Sequence, residues 1–360
     1  MSLRSALARA LPSAFAIAFG LSHLGMSCGQ SALGILPGVV NDPANLSLRK
    51  AILSYATNQV CAEMLRRSIP LKLRDDDPAT GRFYATNCYT QEMSTQNLFI
   101  QFGGYGYAWT NLTKRLGFDA STAVEYEHDF QMDGSTMYVY FKQRTTTAAQ
   151  LTARFVEQQQ PAVGAVAIPV GMSNDTFVNT FGPQILKNEV ARGFTVIRDP
   201  DGTVQFGLGM IPKGQKPPVP YKISPSGREI VANDRSEIHQ NQRDYVGPIE
   251  IKEDDQALYL TGAVDGAPGA DVLVVPKQLG DTWLEQYTRN AALTPPPAPP
   301  ALDEQIFAGV IWRKTIALPK GYYYLVLDNS ASAGRTAPPN VPGDDRAALV
   351  SFAIELGDAP

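Results

Sequence analysis

Three cysteines are the residues of this sequence whose types and spacing point most directly to chemistry: Cys28, Cys61 and Cys88. Cys61 and Cys88 are predicted to pair, which would close a loop of about 28 residues and stabilise an exported fold by roughly 3 kcal/mol. The alternative is that both are unpaired buried thiols. No Cys-x-x-Cys motif or His/Cys cluster accompanies them, so neither zinc binding nor thiol redox catalysis is predicted. Cys28 is left as an odd cysteine that needs a separate explanation.

Glycine and aromatic residues are interleaved in the segment FGGYGYAW at 102–109. Its glycines do not follow the Gly-x-Gly-x-x-Gly spacing and no Lys-Ser/Thr comes after them, so no phosphate-binding loop is predicted. Two interpretations stay open. Glycine beside aromatics on a strand is typical of a bulge, or of rings packed over bare backbone. Alternatively, Tyr105, Tyr107 and Trp109 form the mouth of a ligand site, because aromatic rings contact sugars and lipids alike.

No catalytic residue, cofactor or metal site is predicted. His128 shares a strand face with Val124 and Phe130, which favours a partly buried ring and makes His128 a candidate ligand contact rather than a catalyst. His239 lies in a polar segment typical of a surface. There is no Gly-x-Ser-x-Gly nucleophile motif. The acidic run at 75–77 is consecutive, whereas calcium loops place their ligands at alternating positions, so a solvated loop is expected there.

Residues 1–27 are typical of a secretory signal peptide. They contain no acidic residue, and Arg4 and Arg9 form a short basic region. An uncharged, mostly apolar run follows over 10–21, which is shorter than the about 20 residues of a membrane-spanning helix. The sequence therefore predicts export of the chain.

The segment LGMSC at 24–28 resembles the lipobox of bacterial lipoproteins, in which a small residue precedes a cysteine that is lipidated. This resemblance implies that Cys28 becomes the acylated N-terminus of the mature chain. Gly29 stands where such lipoproteins commonly carry an aspartate for inner-membrane retention, so the resemblance implies the outer membrane of a Gram-negative-type bacterium, on its periplasmic or surface face. Gly25 and Ser27 also suit an ordinary signal peptidase.

The pattern of the remaining chain predicts two domains. Residues 28–46 are the lipidated cysteine and a flexible tether. Residues 47–212 contain an amphipathic helix, aromatic-rich strands, a second helix from Pro183 and a hairpin. Residues 213–243, rich in Pro and Lys, are predicted as a linker or surface excursion. Residues 244–360 contain short strands separated by turns. The predicted fold class is α+β and all-β, with an N-terminal helix packed on a curved antiparallel sheet and a C-terminal β-sandwich.

Two further resemblances concern these domains. The sequences GYYYLVLDNS at 321–330 and AALVSFAIEL at 347–356 are similar to the closing strands of jelly-roll modules such as pre-peptidase C-terminal and GOLD-type domains. This implies a jelly-roll-like, non-catalytic module for binding or assembly. The order of elements in 47–212 resembles periplasmic lipoproteins with a TULIP-like lipid-binding fold. That likeness implies an elongated apolar groove that holds an acyl chain.

The net charge and the motifs together narrow the classes of function that the sequence predicts. A net charge of −4 without a block of Lys and Arg excludes nucleic acid as the main partner. We expect a non-enzymatic, exported lipoprotein attached to a membrane through Cys28. It would bind an apolar ligand in the first domain, or a glycan or envelope protein on the second. A structural or assembly component without a small ligand is the alternative. A hydrolase is the third hypothesis. It ranks last because no nucleophile, metal set or acid/base pair is recognisable in the sequence.

Overall fold

The computed structural model describes residues 41–42, 44–72, 77, 79–93, 97–111, 113–157, 174–200, 204–217, 219–223, 227–336, 338 and 346–360. The predicted signal peptide 1–27, the lipidation site Cys28 and the tether up to residue 40 lie outside the described residues. Within the described ranges the chain forms fifteen strands and three helices, and the protein is therefore mostly β.

Seven of the described strands follow one another as neighbours in one antiparallel sheet. They are β1 (Ile69–Pro70), β2 (Thr80–Glu92), β3 (Leu98–Thr110), β4 (Lys114–Asp133), β5 (Thr136–Val156), β6 (Phe194–Arg198) and β7 (Val204–Leu208). Strands β4 and β5 are 20 and 21 residues long, and the register between them shifts at three points. Each shift bends and twists a strand pair. The sheet accordingly curls into a half-barrel.

Two helices, α1 (Leu46–Arg66) and α2 (Asn174–Ala191), contribute residues to the apolar clusters on this sheet. Helix α1 begins at Leu46, close to the predicted start of the first domain at 47. The predicted start of the second helix at Pro183 is wrong, because Pro183 lies inside α2. Val178 and Leu186, on either side of this proline, both pack against the sheet. These tertiary contacts outweigh the local preference of proline for a first helical turn.

The other described elements form two four-stranded antiparallel sheets, ordered β13-β10-β15-β8 and β12-β11-β14-β9, and one helix. Their bounds are β8 (Glu229–Ile238), β9 (Gln242–Ile251), β10 (Gln256–Asp265), β11 (Gly269–Pro276), α3 (Lys277–Arg289), β12 (Leu302–Phe307), β13 (Trp312–Ala317), β14 (Gly321–Asn329) and β15 (Ala348–Asp358). Side chains of both sheets meet in one core, in which Leu258, Val274 and Ile354 are fully buried.

Two elements of this half differ from the sequence prediction. Strand β8 lies inside the segment 213–243, where we expected a linker or surface excursion. It is an edge strand with side chains that stay largely exposed or half-buried, so its composition resembles that of a loop. Helix α3 interrupts the run of strands expected from 244 onward. It buries Trp283, Leu284 and Tyr287 and carries the aromatic surface that meets the first sheet.

Candidate functional site

One face of the seven-stranded sheet is apolar and lies under α1 and α2; we call it the helix-covered face. Residues of β4 with even numbers from 116 to 132 point toward it, because side chains alternate along a strand. The apolar side chains that meet there are Val60, Leu98, Ile100, Val124, Phe130, Phe141, Val190 and Phe194 in one group, and Phe83, Leu116, Phe118 and Val178 in a second. The contacts between the sheet and the two helices are therefore mainly non-polar.

Helix α1 is fixed to the sheet by a disulfide. Cys61 of α1 and Cys88 of β2 lie at bonding distance, with an S–S separation of 2.01 Å, as the sequence predicted. Cys88 packs against the first apolar group, so the bond joins the helix to the helix-covered face. Helix α2 contains no cysteine and is held by non-covalent contacts, mainly with β5. The two helices that cover the sheet are thus attached in different ways.

His128 lies on the helix-covered face, near the edge of the first apolar group. Its ring is stacked parallel to that of Phe141, with 6.2 Å between the centroids. Burial lowers the pKa of His128. Its Nδ1 atom is buried and has no hydrogen-bond partner among the described residues. Contact between His128 and an apolar ligand stays a prediction.

Tyr105, Tyr107 and Trp109 point to the opposite face of the sheet, which contacts the second half of the chain. Tyr107 is 3% exposed, and its ring lies 5.1 Å from that of Tyr287 on α3. Trp109 is 7% exposed, whereas Tyr105 is half-buried and stacks on Tyr84 at 5.5 Å. The three aromatics and His128 are therefore on different faces, and the structure does not bring them into one site.

The glycines of 102–109 allow two strands to approach closely. The register between β2 and β3 shifts between Ala85 and Asn87, opposite Gly103 and Gly104. A Cβ atom added at Gly104 would lie 2.0 Å from the backbone oxygen of Tyr84. This geometry corresponds to the bulge, the first of the two interpretations of this segment.

A buried ion pair connects the two halves. Arg82 Nε of β2 donates hydrogen bonds to both carboxylate oxygens of Asp244 on β9, at 2.7 and 2.9 Å. Tyr107 donates its hydroxyl hydrogen to Asp244 Oδ1 at 2.5 Å, and Ser236 donates to Oδ2. Burial pushes the pKa of Asp244 upward, but the charge and hydrogen bonds of Arg82 outweigh it and hold the pKa below its ordinary value. The carboxylate is therefore charged and compensated inside the interface.

A second polar group borders this pair. His239 stacks on Trp109 with 3.3 Å between ring centroids, and its Nε2 lies 3.0 Å from Glu237 Oε1. Lys72 donates to Glu237 Oε2 at 2.5 Å. The hydrogen bond from His239, together with Lys72, lowers the pKa of Glu237 to about 2. A cavity bordered by Lys72, Trp109 and Glu237 measures about 20 Å³, which is room for about one water molecule and not for a larger ligand.

Sequence reasoning missed the residues of this interface. Arg82 and Asp244 are 162 positions apart, and nothing in either local sequence indicates that they pair. For α3 a signal existed, since Trp283 and Tyr287 are four residues apart and define one helical face. Arg115, which is 1% exposed, donates from Nη2 to the backbone oxygens that follow α3. It lies in the first part of β4, for which no strand was predicted from the sequence.

Two further observations concern metal binding and membrane-spanning helices. Within the described ranges, no group of three or more His, Cys, Asp or Glu residues is arranged to hold a metal ion. No helix in the described part of the chain combines the length and hydropathy that a membrane span requires.

Neither the models of known protein families nor the curated proteins contain a match to this chain.

Proposed function

We propose that this protein is an exported, lipid-anchored envelope protein that binds an apolar ligand, such as an acyl chain, between the half-barrel and helices α1 and α2. The observation that carries the proposal is the helix-covered face, where a curled sheet and two helices enclose mainly apolar side chains. The proposed anchor is an acyl group on Cys28, and the proposed location is the outer membrane. The ligand site is non-enzymatic.

The disulfide between Cys61 and Cys88 supports export, because such bonds persist in oxidising compartments. It also suggests how a ligand enters. Helix α1 stays on the sheet, and α2, which has no covalent link to β5, moves to admit an acyl chain. The second half, proposed as a jelly-roll-like sandwich, acts as a rigid support because buried charges and aromatic rings fix it to the sheet.

Lipid extraction tests this function. Cys28→Ser protein is purified from the cell envelope without detergent, and an organic extract is analysed by mass spectrometry. We expect a stoichiometric amphiphile with one or more acyl chains. Met132→Glu, at the margin of the first apolar group, should reduce the bound lipid, because a carboxylate is costly beside apolar contacts.

Met210→Glu is the matched control, since Met210 is 44% exposed and belongs to neither apolar group. This variant should keep the lipid. A lipid-free extract from the Cys28→Ser protein would contradict the proposal and favour the assembly component, in which these side chains are core alone. Equal lipid content in both methionine variants would also contradict the proposed location of the site.

A further inference from the structure

Two neighbouring turns form an uncharged apolar surface beside the two four-stranded sheets. The first is the segment 266–269, between β10 and the start of β11, and the second is the segment 307–311, between the end of β12 and β13. Their sequences are GAPG and FAGVI, so none of these nine residues has a polar side chain. Ala308 N donates to Pro268 O at 3.0 Å, which joins the two turns. We call these nine residues the apolar tip.

The apolar tip exposes three large apolar side chains within five residues. Phe307, Val310 and Ile311 are 56%, 62% and 55% exposed. Elsewhere in the described part of the chain, the exposed large apolar side chains are isolated in sequence. Isolated ones are normal on a protein surface, whereas a contiguous apolar patch indicates contact with a protein or a membrane. The apolar tip is therefore a candidate interaction surface.

The exposed side chains are held outside the core by the residues that flank them. Ile306 is 1% exposed, and Trp312 packs against the same core. Trp312 also donates from Nε1 to Glu304 Oε2 at 2.8 Å. The segment 307–311 is thus fixed at both ends before any contact forms, which reduces the entropic cost of binding.

The composition and shape of the apolar tip fit a lipid bilayer better than a protein surface. The residues that dominate protein interfaces are mostly Trp, Tyr and Arg, and valine is rare among them. The side chains of the tip form no hydrogen bonds, and acyl chains require none. A Cβ atom added at Gly309 would meet no atom within 4 Å beyond its chain neighbours, so the centre of the segment projects into open space. A projecting apolar turn suits insertion into the boundary between headgroups and acyl chains.

Cations beside the apolar tip complement anionic headgroups. Arg313 is exposed two residues after Ile311, and the exposed Arg346 lines the same cavity as Phe307. The exposed Asp265 precedes the first turn. Within the described ranges, two guanidinium groups and one carboxylate therefore lie next to the tip. Basic groups at this depth are attracted to anionic lipid surfaces.

We propose that the apolar tip inserts into a lipid bilayer, with Phe307, Val310 and Ile311 at the acyl chains and Arg313 at anionic headgroups. The inference does not rest on the acyl anchor or on the proposed ligand site, because the tip belongs to the second half of the chain. Where the proposed anchor is present, even a weak contact suffices, since tethering raises the local concentration of the tip at the membrane. The contact would then set the orientation of the protein on that membrane.

Vesicle sedimentation of the Cys28→Ser protein, which lacks the proposed anchor, tests the inference. One set of vesicles contains phosphatidylethanolamine and phosphatidylglycerol, and the other contains phosphatidylcholine alone. We expect binding to the anionic vesicles. Val310→Glu should lower the partition coefficient at least about tenfold, because a carboxylate is costly among acyl chains and is repelled by anionic headgroups. Arg313→Gln should weaken binding to the anionic vesicles about fivefold and leave binding to phosphatidylcholine unchanged.

Val219→Glu is the matched control, since Val219 is 48% exposed and lies outside the apolar tip. This variant introduces the same charge and should bind vesicles within about twofold of the parent protein. Absence of binding to both kinds of vesicle would overturn the inference. Equal losses in the two glutamate variants would overturn it as well, because the charge alone would then explain them.

A fluorescent label shows whether the tip itself enters the bilayer. Nitrobenzoxadiazole is attached to Val310→Cys in the Cys28→Ser protein, where Cys61 and Cys88 are bonded to each other. We expect a blue shift of its emission on anionic vesicles, and no shift from the same label on Val219→Cys. No shift at position 310, or a concentration-dependent shift without vesicles, would overturn the inference, the latter in favour of a second copy of the chain. The acyl-chain proposal is measured separately, by the lipid content of the purified protein.

Discussion

Removing Arg82 should destabilise the protein more than removing any exposed cation, because it leaves the Asp244 carboxylate without a counter-charge in the interface. The side chains of Arg82 and Asp244 are 4% and 9% exposed. Breaking one partner out of such a pair costs about 3–5 kcal/mol. Tyr107 and Ser236 still donate hydrogen bonds to the carboxylate in Arg82→Ala. We therefore expect a loss at the lower end of this range, about 3 kcal/mol of the free energy of unfolding.

Urea unfolding, followed by tryptophan fluorescence and circular dichroism, measures this loss. The double variant Arg82→Ala/Asp244→Ala should recover part of it, with a coupling energy of about 2 kcal/mol. Without Arg82 the buried carboxyl is easier to protonate, so its pKa rises. The deficit of Arg82→Ala should therefore shrink as the pH falls from about 7 to about 4.

A surface ion pair supplies the control. Arg289 and Glu285 are 53% and 58% exposed and lie four residues apart on α3. Arg289→Ala should cost less than about 1 kcal/mol. A loss below about 1 kcal/mol for Arg82→Ala at neutral pH, or no coupling with Asp244, would refute the interface described above.

Three further predictions follow from the contacts. Cys61→Ser should lower the free energy of unfolding by roughly 3 kcal/mol in urea titrations, because the bond to Cys88 closes a loop with a sequence separation of 27; an unchanged midpoint would argue against the bond. The pKa of Glu237 is held at about 2, below its ordinary value of 4.5. The contribution of this carboxylate to the free energy of unfolding should therefore be complete above pH 4.5 and lost as the pH falls toward 2. Glu237→Gln should remove that part of the pH dependence. A disulfide between Leu151→Cys and Gly182→Cys would link β5 to α2, because these two positions are in contact. It should slow the uptake of a fluorescent fatty acid at least about tenfold until a reductant is added. Unchanged uptake would exclude movement of α2 as the entry step.

Local patterns predicted much of the secondary structure and little of the tertiary contact. The amphipathic pattern predicted a helix at the start of the domain 47–212, where α1 begins at Leu46, and the alternation around His128 matches the burial of β4. The strand predicted around His128 is part of the much longer β4, because backbone hydrogen bonds to β3 and β5 extend along polar residues as well as apolar ones. The full extent of β4 depends on its partners β3 and β5 and not on its own composition.

The roles of the aromatic residues depended on contacts far along the chain. Tyr107 was a candidate for a ligand mouth because a tyrosine beside glycine suits either a site or a core. Its burial follows from α3 and from Asp244, 137 residues away.

Native mass spectrometry of the full-length protein, expressed in a Gram-negative bacterium and purified from its envelope membranes, tests the central proposal most directly. We expect a chain that begins at Cys28 and carries covalent acyl groups, together with a non-covalent amphiphile that is lost on denaturation. A chain that retains Met1, or one that begins at an unmodified Cys28 and shows no mass loss on denaturation, would contradict the account.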